Sequence, residues 1–223
     1  MYKIRCDCGL CDRLRVIFSY LYFANSTNQK LEVCWIVNDA CNGHFLDIFE
    51  PVPNVTFTED AADIDYRGSN WHPHFDPGRI FLYSQLRIKN NVLNIIKNNL
   101  KILGKNYIAI HIRRTDQVIF HDYSDMTSYE DFSKFIEKNY NIEKVFLATD
   151  NAESQNWFLE KYREKIVVTS KIIPSTNLRQ TSLEIAAADL FTCVYSKKFM
   201  GTDCSGYTNF INWYRNTKWP LFA

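Results

Sequence analysis

Apolar residues recur along the first part of the chain in a strand-like pattern, then a helix-like pattern, then a strand-like pattern again. Residues 2–6 predict a short strand, and Gly9 interrupts it. Asp12 is a candidate N-cap, and the positions from Leu14 to Asn25 follow at helical spacing. The run LEVCWIV at 31–37 predicts the next strand. The chain is therefore expected to begin as a β-loop-α-β unit.

The alternation becomes cleaner in the second part of the chain. Helical spacing over 86–101 ends near Gly104, and the apolar run YIAIHI follows at 107–112. Three more strands are predicted at 144–149, 166–169 and 197–201, with helices at about 128–140, 152–164, 179–193 and 205–216. Buried strands rich in Ile and Val that alternate with helices indicate a parallel sheet covered on both faces.

Residues 50–80 show neither the alternation of a strand nor the spacing of a helix. The segments EPVPNV and WHPHFDPGR contain prolines and mix aromatic with polar residues, so they predict loops. With a boundary near 85–105, the chain is predicted to form two α/β lobes, divided into residues 1–95 and residues 96–223.

Composition favours a soluble globular protein. The chain has 223 residues with 26 Lys and Arg against 25 Asp and Glu, and 46% of its residues are hydrophobic. Near-neutral charge gives no reason to expect a nucleic acid as partner. No run approaches the roughly 20 apolar residues of a membrane span, and the opening MYKIRCDCGLCDRLR lacks the apolar centre of a signal peptide. We therefore expect a cytoplasmic protein with no membrane span.

Several residues could bind a metal ion, each with a simpler alternative. Cys6, Cys8 and Cys11 are clustered, but no second CxxC pair completes a zinc site, and incidental thiols explain them as well. Asp63-Ile64-Asp65 is formally a DxD motif, although no clear apolar strand precedes it. His72, His74 and Asp76 could ligate a transition metal or form a surface turn. The prediction is that the chain has no metal site.

The clearest candidate chemistry follows the strand at 107–112. His111 ends the apolar run, and Arg113, Arg114 and Asp116 come directly after it. In open α/β sheets ligands bind at the carboxyl ends of strands, and two guanidiniums match a diphosphate. The alternative is that one arginine pairs with Asp116 while the other is solvated.

Two other strand ends are polar and open helices. They are TDN at 149–151 and GTDCSG at 201–206. In the second, Gly201 would let backbone approach a ligand, and Ser205 opens a helix whose positive end favours phosphate; an ordinary turn and N-cap is the alternative. Asp189 lies in the Ala-rich pattern EIAAADLFTC, where a buried carboxyl needs a donor from the protein or a ligand.

Motifs of several large enzyme classes are absent from the sequence. There is no GxxxxGK[ST], GxGxxG or GxSxG segment. Walker-type phosphoryl transfer, nicotinamide redox chemistry and elbow-type ester hydrolysis therefore lack their usual motifs.

Three segments together resemble the motif set of the GDP-fucose-dependent fucosyltransferase superfamily. They are HIRRTD, FLATDN and the segment from LEIAAADLF to KKFMGTDCSGYTNF. This superfamily includes α1,6-fucosyltransferases, nodulation enzymes and protein O-fucosyltransferases. GLCDRLRVIFSYLYFA is similar to its opening loop and helix, and the resemblance is weakest over 50–100. It implies a GT-B-like α/β fold in which two Rossmann-like lobes face across a cleft. Residues 1–95 would form a reduced acceptor lobe, and residues 96–223 the lobe that binds the GDP-sugar.

The resemblance also implies an activity and a set of site residues. The activity is inverting, metal-independent transfer of fucose from GDP-fucose to a glycan or other hydroxyl acceptor, with no cofactor. Arg113 would bind the β-phosphate and stabilise the departing GDP, while His111 and Asp189 would recognise guanine. The phosphate cradle would consist of Ser205, Thr202 and Gly206. Asp116 would orient the arginine pair, and Arg114 and Asp150 would also bind the substrate. In the N-terminal lobe, Gly9, Asp12 and Arg13 would line the cleft.

The general base departs from the superfamily pattern. Where the α1,6 enzymes have a Lys after the motif's Asp and a Glu further on, this chain has Gln117 and His121. His121 is the predicted base, Asp122 is the alternative, and a surface histidine without a role fits equally well. Two other functions stay open at this point: use of a different GDP-sugar, and a non-catalytic module that only binds GDP-sugar.

Overall fold

A computed structural model describes most of the chain, namely residues 1–75, 83, 85–115, 127–139 and 141–217. The chain divides into two units, Met1–Lys89 and Asn90–Arg215, and the end of the last helix from Asn216 is grouped with the first unit. Each unit contains a four-stranded sheet. Within the described part of the chain, no helix combines the length and the apolar character that crossing a membrane requires.

The first unit has a parallel sheet in the strand order β3-β2-β1-β4. Its strands are β1 Tyr2–Arg5, β2 Leu31–Cys34, β3 Val55–Thr58 and β4 Tyr66–Arg67. Helix α1, Leu10–Ser26, connects β1 to β2, and the single turn α2, Phe45–Ile48, follows β2. Two of these strands, β3 and β4, lie where loops were predicted. They are short edge strands, and their backbone pairs with β2 and β1, which no local sequence pattern reveals.

Helix α1 begins one turn earlier than predicted. Gly9 is its N-cap, with an extended backbone, and Asp12 lies inside the first turn. The expectation that Asp12 caps the helix is therefore wrong. Its carboxylate instead lies 2.8 Å from the Arg15 guanidinium, near the helix end where negative charge is favourable.

The second unit has a parallel sheet in the order β7-β6-β5-β8. Its strands are β5 Tyr107–Ile112, β6 Lys144–Thr149, β7 Ile166–Val167 and β8 Phe199–Gly201. The helices that we number α3 to α7 are Asn90–Leu103, Tyr129–Lys138, Ala152–Tyr162, Leu183–Val194 and Gly206–Thr217. The predicted alternation of strands and helices is confirmed here, with shifts of a few residues at element ends.

Strand β5 forms the centre of this unit and is buried at all six positions. Its side chains alternate between the two faces of the sheet. On one face Ile108, Ile110 and Ile112 belong to a core with Phe132 and Phe158. On the other face, the Tyr107 hydroxyl donates to the carbonyl of Thr192 at 2.7 Å. His111 lies on this second face, at the carboxyl end of the strand.

Candidate functional site

The segment that follows β5 is fixed by hydrogen bonds on both sides. The backbone N–H of Arg113 donates to Thr202 Oγ1 at 3.0 Å, and that of Arg114 donates to Asp150 Oδ1 at 3.0 Å. The N–H of Thr202 donates to the carbonyl of His111 at 2.9 Å. Thr202 follows β8 and Asp150 follows β6, so these bonds tie together the carboxyl ends of three neighbouring strands. Thr202 and Asp150, both predicted as site residues, therefore position the arginine segment.

The two adjacent arginines have different surroundings. The Arg114 side chain is buried, and its guanidinium donates to the carbonyls of Thr127 at 2.6 Å and Arg113 at 3.0 Å. It also lies 5.2 Å from the centre of the Tyr129 ring. Arg113 is only half-buried, so part of its surface is accessible. Arg114 is thus buried, and the half-buried Arg113 is the better placed of the two to meet a ligand.

A third arginine, which sequence reasoning missed, lies beside the same strand ends. Arg179 Nη1 is 3.7 Å from Asp150 Oδ2 and 3.5 Å from Thr115 Oγ1. The Thr115 hydroxyl donates to the same Asp150 oxygen at 2.6 Å. Arg179 belongs to the segment between β7 and α6, and no apolar run precedes it, so the strand-end rule could not identify it. The site therefore contains more positive charge than the HIRRTD motif alone provides.

His111 is a buried, neutral imidazole next to this charge. Burial is the main cause that lowers its pKa to about 3, and the positive charges of the three arginines lower it further. Its Nδ1 is hydrogen-bonded to Thr208 Oγ1 at 2.9 Å, and its ring stacks on Tyr207 with centroids 4.3 Å apart. Both partners lie on α7 and were not identified from the sequence. With Nδ1 engaged, Nε2 can serve a ligand as one donor or one acceptor, according to the tautomer.

Asp189 is a buried carboxyl on α6. The hydroxyl of Thr169 donates to its Oδ1, and Asn99 donates to Thr169 Oγ1 at 2.8 Å. Burial raises the pKa of Asp189 to about 7, and the bond from Thr169 partly opposes that rise. Among the described residues, Thr169 is its one hydrogen-bond partner. The carboxyl is therefore oriented by the protein and keeps acceptor capacity for donors of a ligand.

The turn between β8 and α7 includes the predicted phosphate cradle. Ser205 Oγ accepts from the N–H of Thr208 at 3.5 Å, which makes Ser205 the residue that caps α7, and Gly206 is the first residue of that helix. A Cβ at Gly201 would meet the Thr208 side chain, with Cγ2 at 2.6 Å. Gly201 was expected to let a ligand approach. It instead makes room for the threonine that holds His111.

We expect Gly201→Ala to destabilise the second unit by about 1–3 kcal/mol, because the added methyl overlaps the buried Thr208 side chain, which must move. Urea unfolding followed by circular dichroism measures the change. The double variant Gly201→Ala with Thr208→Ala should recover part of the loss, since it removes the overlapping atoms. Additive losses in the double variant would show that the overlap is not the cause.

In the first unit the predicted site residues lie around the start of α1. Gly9 is the N-cap, and Arg13 is 1% exposed, so Arg13 is enclosed by the unit. Its guanidinium donates to the carbonyl of Cys8 at 2.7 Å, the carbonyl of Ile36 at 2.8 Å and Asn38 Oδ1 at 3.0 Å. These bonds join the loop after β1 to the segment after β2. Arg13 therefore positions the loop that contains Gly9, and its contacts are those of a residue within the fold.

The metal alternatives find no support in the residues that the structure describes. Within them, no three His, Cys, Asp or Glu side chains converge as metal ligands would. The His72 ring is buried and stacks on Phe23 at 4.1 Å, while Asp65 accepts from the N–H of Lys3 at 2.6 Å. The remaining predicted residues, Asp76, Asp116, Gln117, His121 and Asp122, lie outside the described residues.

Comparison with known proteins identifies the fold. No protein-family model matches the chain, and no curated protein matches its sequence. The structure is similar to NodZ α-1,6-fucosyltransferase co-crystallised with GDP, with a TM-score of 0.66 and 12% identity over 95% of this chain and 91% of that chain. NodZ from Bradyrhizobium gives a TM-score of 0.65, with 12% identity over 95% and 92% of the two chains. POFUT1 in complex with GDP-fucose gives 0.61, with 11% identity over 96% and 94%. The predicted GT-B-like α/β fold, and the resemblance to fucosyltransferases at the level of that fold, are confirmed.

Proposed function

We propose that this protein is a glycosyltransferase that transfers fucose from GDP-fucose to a hydroxyl of a glycan or other acceptor. The observation that carries the proposal is the site at the carboxyl edge of the second sheet. There the neutral His111 lies at the end of β5 and the half-buried Arg113 follows that strand, while the buried carboxyl of Asp189 lies on α6 of the same unit. The proposal is supported by fucosyltransferases of the same fold whose crystal structures contain GDP or GDP-fucose.

Guanine suits the two buried groups of the site. Its ring N–H and exocyclic amino group are adjacent donors, and the Asp189 carboxylate can accept both of them. His111 adds one hydrogen bond through Nε2, and its neutral state avoids repulsion with the nearby arginines. A pyrimidine base presents no such pair of donors, so the site would favour guanine over uracil.

The diphosphate is assigned to Arg113 and to the start of α7. A guanidinium donates two parallel hydrogen bonds to phosphate oxygens and keeps its charge at all relevant pH values. The N–H groups around Ser205 and Gly206 open a helix of 12 residues, whose positive end favours an anion. Negative charge grows on the diphosphate as the sugar leaves, so these groups stabilise the transition state more than the ground state.

The transfer is proposed to invert the anomeric carbon and to need no metal ion. The acceptor oxygen forms a bond to C1 of fucose while the bond from C1 to the diphosphate oxygen breaks, and a base takes the hydroxyl proton. His121 is the proposed base, with Asp122 as the alternative. The positive charge that balances the leaving diphosphate would come from Arg113, with Arg179 reinforcing it from the neighbouring segment.

Calorimetric titration of the chain in the presence of a chelator tests the proposal. We expect GDP-fucose and GDP to bind and UDP not to bind, and we expect GDP release when an acceptor is added to GDP-fucose. Tighter binding of GDP-mannose would identify another GDP-sugar as donor, and binding with no release of GDP would indicate a non-catalytic module. Binding that requires added Mn²⁺ or Mg²⁺ would contradict metal independence, and no binding of guanine nucleotides would contradict the proposal itself.

A further inference from the structure

A pocket lies in the first unit, at the carboxyl ends of β2 and β3. Its volume is about 390 Å³, and its lining includes Trp35, which follows β2, and Phe57, which belongs to β3. Pockets that bind small molecules have volumes of roughly 300–1,000 Å³ and combine an apolar floor with a few polar groups. Ligands of parallel sheets bind at this edge of the strands. The pocket is therefore in the position and size range of a ligand site, and no residue of it was identified from the sequence.

The floor of the pocket is aromatic. Phe57 is half-buried, and its ring is stacked on Phe45 with centroids 4.3 Å apart. Trp35 contacts both rings edge-on, at 5.8 Å and 6.2 Å. The indole N–H donates to the carbonyl of Gly43 at 2.9 Å, so the polar atom of the tryptophan is satisfied within the unit. The guanidinium of Arg13 lies 4.6 Å from the indole centre. Trp35 and Phe45 are buried, with 3% and 1% of their surface exposed, so Phe57 is the ring that presents surface to the pocket, and the contacts with the other two rings fix it before any ligand binds.

The rim of the pocket is polar and carries two carboxylates. His44 Nε2 lies 3.8 Å from Glu59 Oε1, and the two side chains are 50% and 73% exposed. The third rim residue is Asp47, whose Oδ2 accepts from the N–H of His44 at 2.7 Å. The Glu59 carboxylate is largely exposed and has more acceptor positions than its contact with His44 uses. The rim therefore offers acceptors to a ligand that brings hydroxyl donors, and its negative charge disfavours an anionic ligand.

We propose that this pocket binds a neutral sugar ring, and that the ring belongs to the acceptor of the transfer. A pyranose combines a face of C–H groups, which suits an aromatic floor, with hydroxyl groups around its edge, which suit carboxylate and imidazole partners. The negative rim selects neutral sugars over uronates and sugar phosphates. The binding site stands on the pocket alone, whereas its acceptor role rests on the proposed fucosyl transfer.

Saturation-transfer NMR on the full chain tests the pocket. The probes are methyl glycosides of glucose, galactose, mannose and N-acetylglucosamine, with glucuronate and glucosamine as charged probes. We expect at least one neutral glycoside to bind. Glu59→Gln and Phe57→Leu should each raise its Kd on the order of tenfold, because one loses a charged acceptor and the other an aromatic face. Glu50→Gln is the matched control, since Glu50 is an exposed carboxylate outside the pocket lining, and it should leave binding unchanged.

Three results would overturn the inference. They are the absence of a saturation-transfer signal for every neutral glycoside at millimolar concentration, binding that all three variants leave unchanged, and binding of glucosamine alone.

A GDP titration of the same samples separates this inference from the proposed function. Sugar binding without GDP binding would retain the pocket and reject the transferase. GDP binding without sugar binding would reject the pocket and retain the donor site. A urea unfolding curve of Phe57→Leu that matches the parent, followed by circular dichroism, would show that this variant is folded.

Discussion

Arg113→Ala is expected to lower kcat for fucosyl transfer about 10²–10³-fold, the usual effect of removing one preorganised donor from a developing negative charge. The segment of Arg113 is held by the hydrogen bonds from its own N–H to Thr202 and from the N–H of Arg114 to Asp150, both at 3.0 Å. Since only backbone atoms of Arg113 make the bond to Thr202, the alanine variant keeps that frame. The affinity for GDP-fucose should fall much less than kcat, because the charge on the diphosphate is largest in the transition state. Steady-state kinetics with a saturating acceptor give both quantities.

Two companion variants show whether the effect is chemical or structural. Arg113→Lys keeps the charge but loses the paired donors, so it should recover part of the rate and no more. Arg114→Ala should instead lower the free energy of unfolding, because its buried guanidinium bonds the carbonyl of Thr127 at 2.6 Å. Activity of Arg113→Ala within twofold of the parent would reject the assignment of Arg113 to the leaving group.

The second sheet was predictable because its strands are buried on both faces. A strand such as YIAIHI is apolar at successive positions for that reason, and the polar residues after it mark the ligand edge. The same rule identified Arg113 and Asp150. It could not show that Arg114 is buried while Arg113 is half-buried, because Arg114 contacts the carbonyl of Thr127, 13 residues further along the chain.

The parts of the fold and site that escaped prediction depend on tertiary contacts. Strands β3 and β4 have four and two residues and pair at the edges of a sheet, so their sequences carry little pattern. Arg179 reaches the site from the segment between β7 and α6, and Thr208 reaches His111 from α7. Gly201 was predicted to let a ligand approach closely, whereas the group that it accommodates in the structure is the Thr208 side chain. A single sequence can mark a glycine as a position of close approach, but it does not identify the group that approaches.

Asp189 should make the stability of the protein fall as pH rises from about 4 to about 7. Its folded pKa of about 7 lies above the value of about 3.9 for an aspartate in an unfolded chain. Between these values the folded protein binds more protons than the unfolded chain, so raising the pH favours unfolding. The difference between the two pKa values corresponds to a loss of roughly 4 kcal/mol in the free energy of unfolding once the pH has risen past both of them. Asp189→Asn cannot ionise, so its stability relative to the parent should increase across this pH range in urea unfolding curves.

The same carboxyl should make GDP affinity depend on pH in the opposite direction. The two guanine donors need an ionised acceptor, so GDP binds the deprotonated form, and affinity should rise up to tenfold per pH unit until about pH 7. Asp189→Asn presents an amide in place of the carboxylate, and we expect it to bind GDP about 10²-fold more weakly at pH 8. Towards pH 5 the two proteins should converge, because the parent is then also uncharged at this position.

Calorimetry of GDP binding from pH 5 to pH 8 with both proteins measures this effect. The phosphates of GDP also titrate in this range, but they contribute equally to both proteins and cancel in the ratio of their affinities. A ratio that grows with pH would support guanine recognition by Asp189. A ratio that stays near one at every pH would mean that the carboxyl does not bind the guanine donors, and the base would then have to be held by other groups. Because stability and affinity should respond to pH in opposite directions, a general loss of folding in the variant could not reproduce both results.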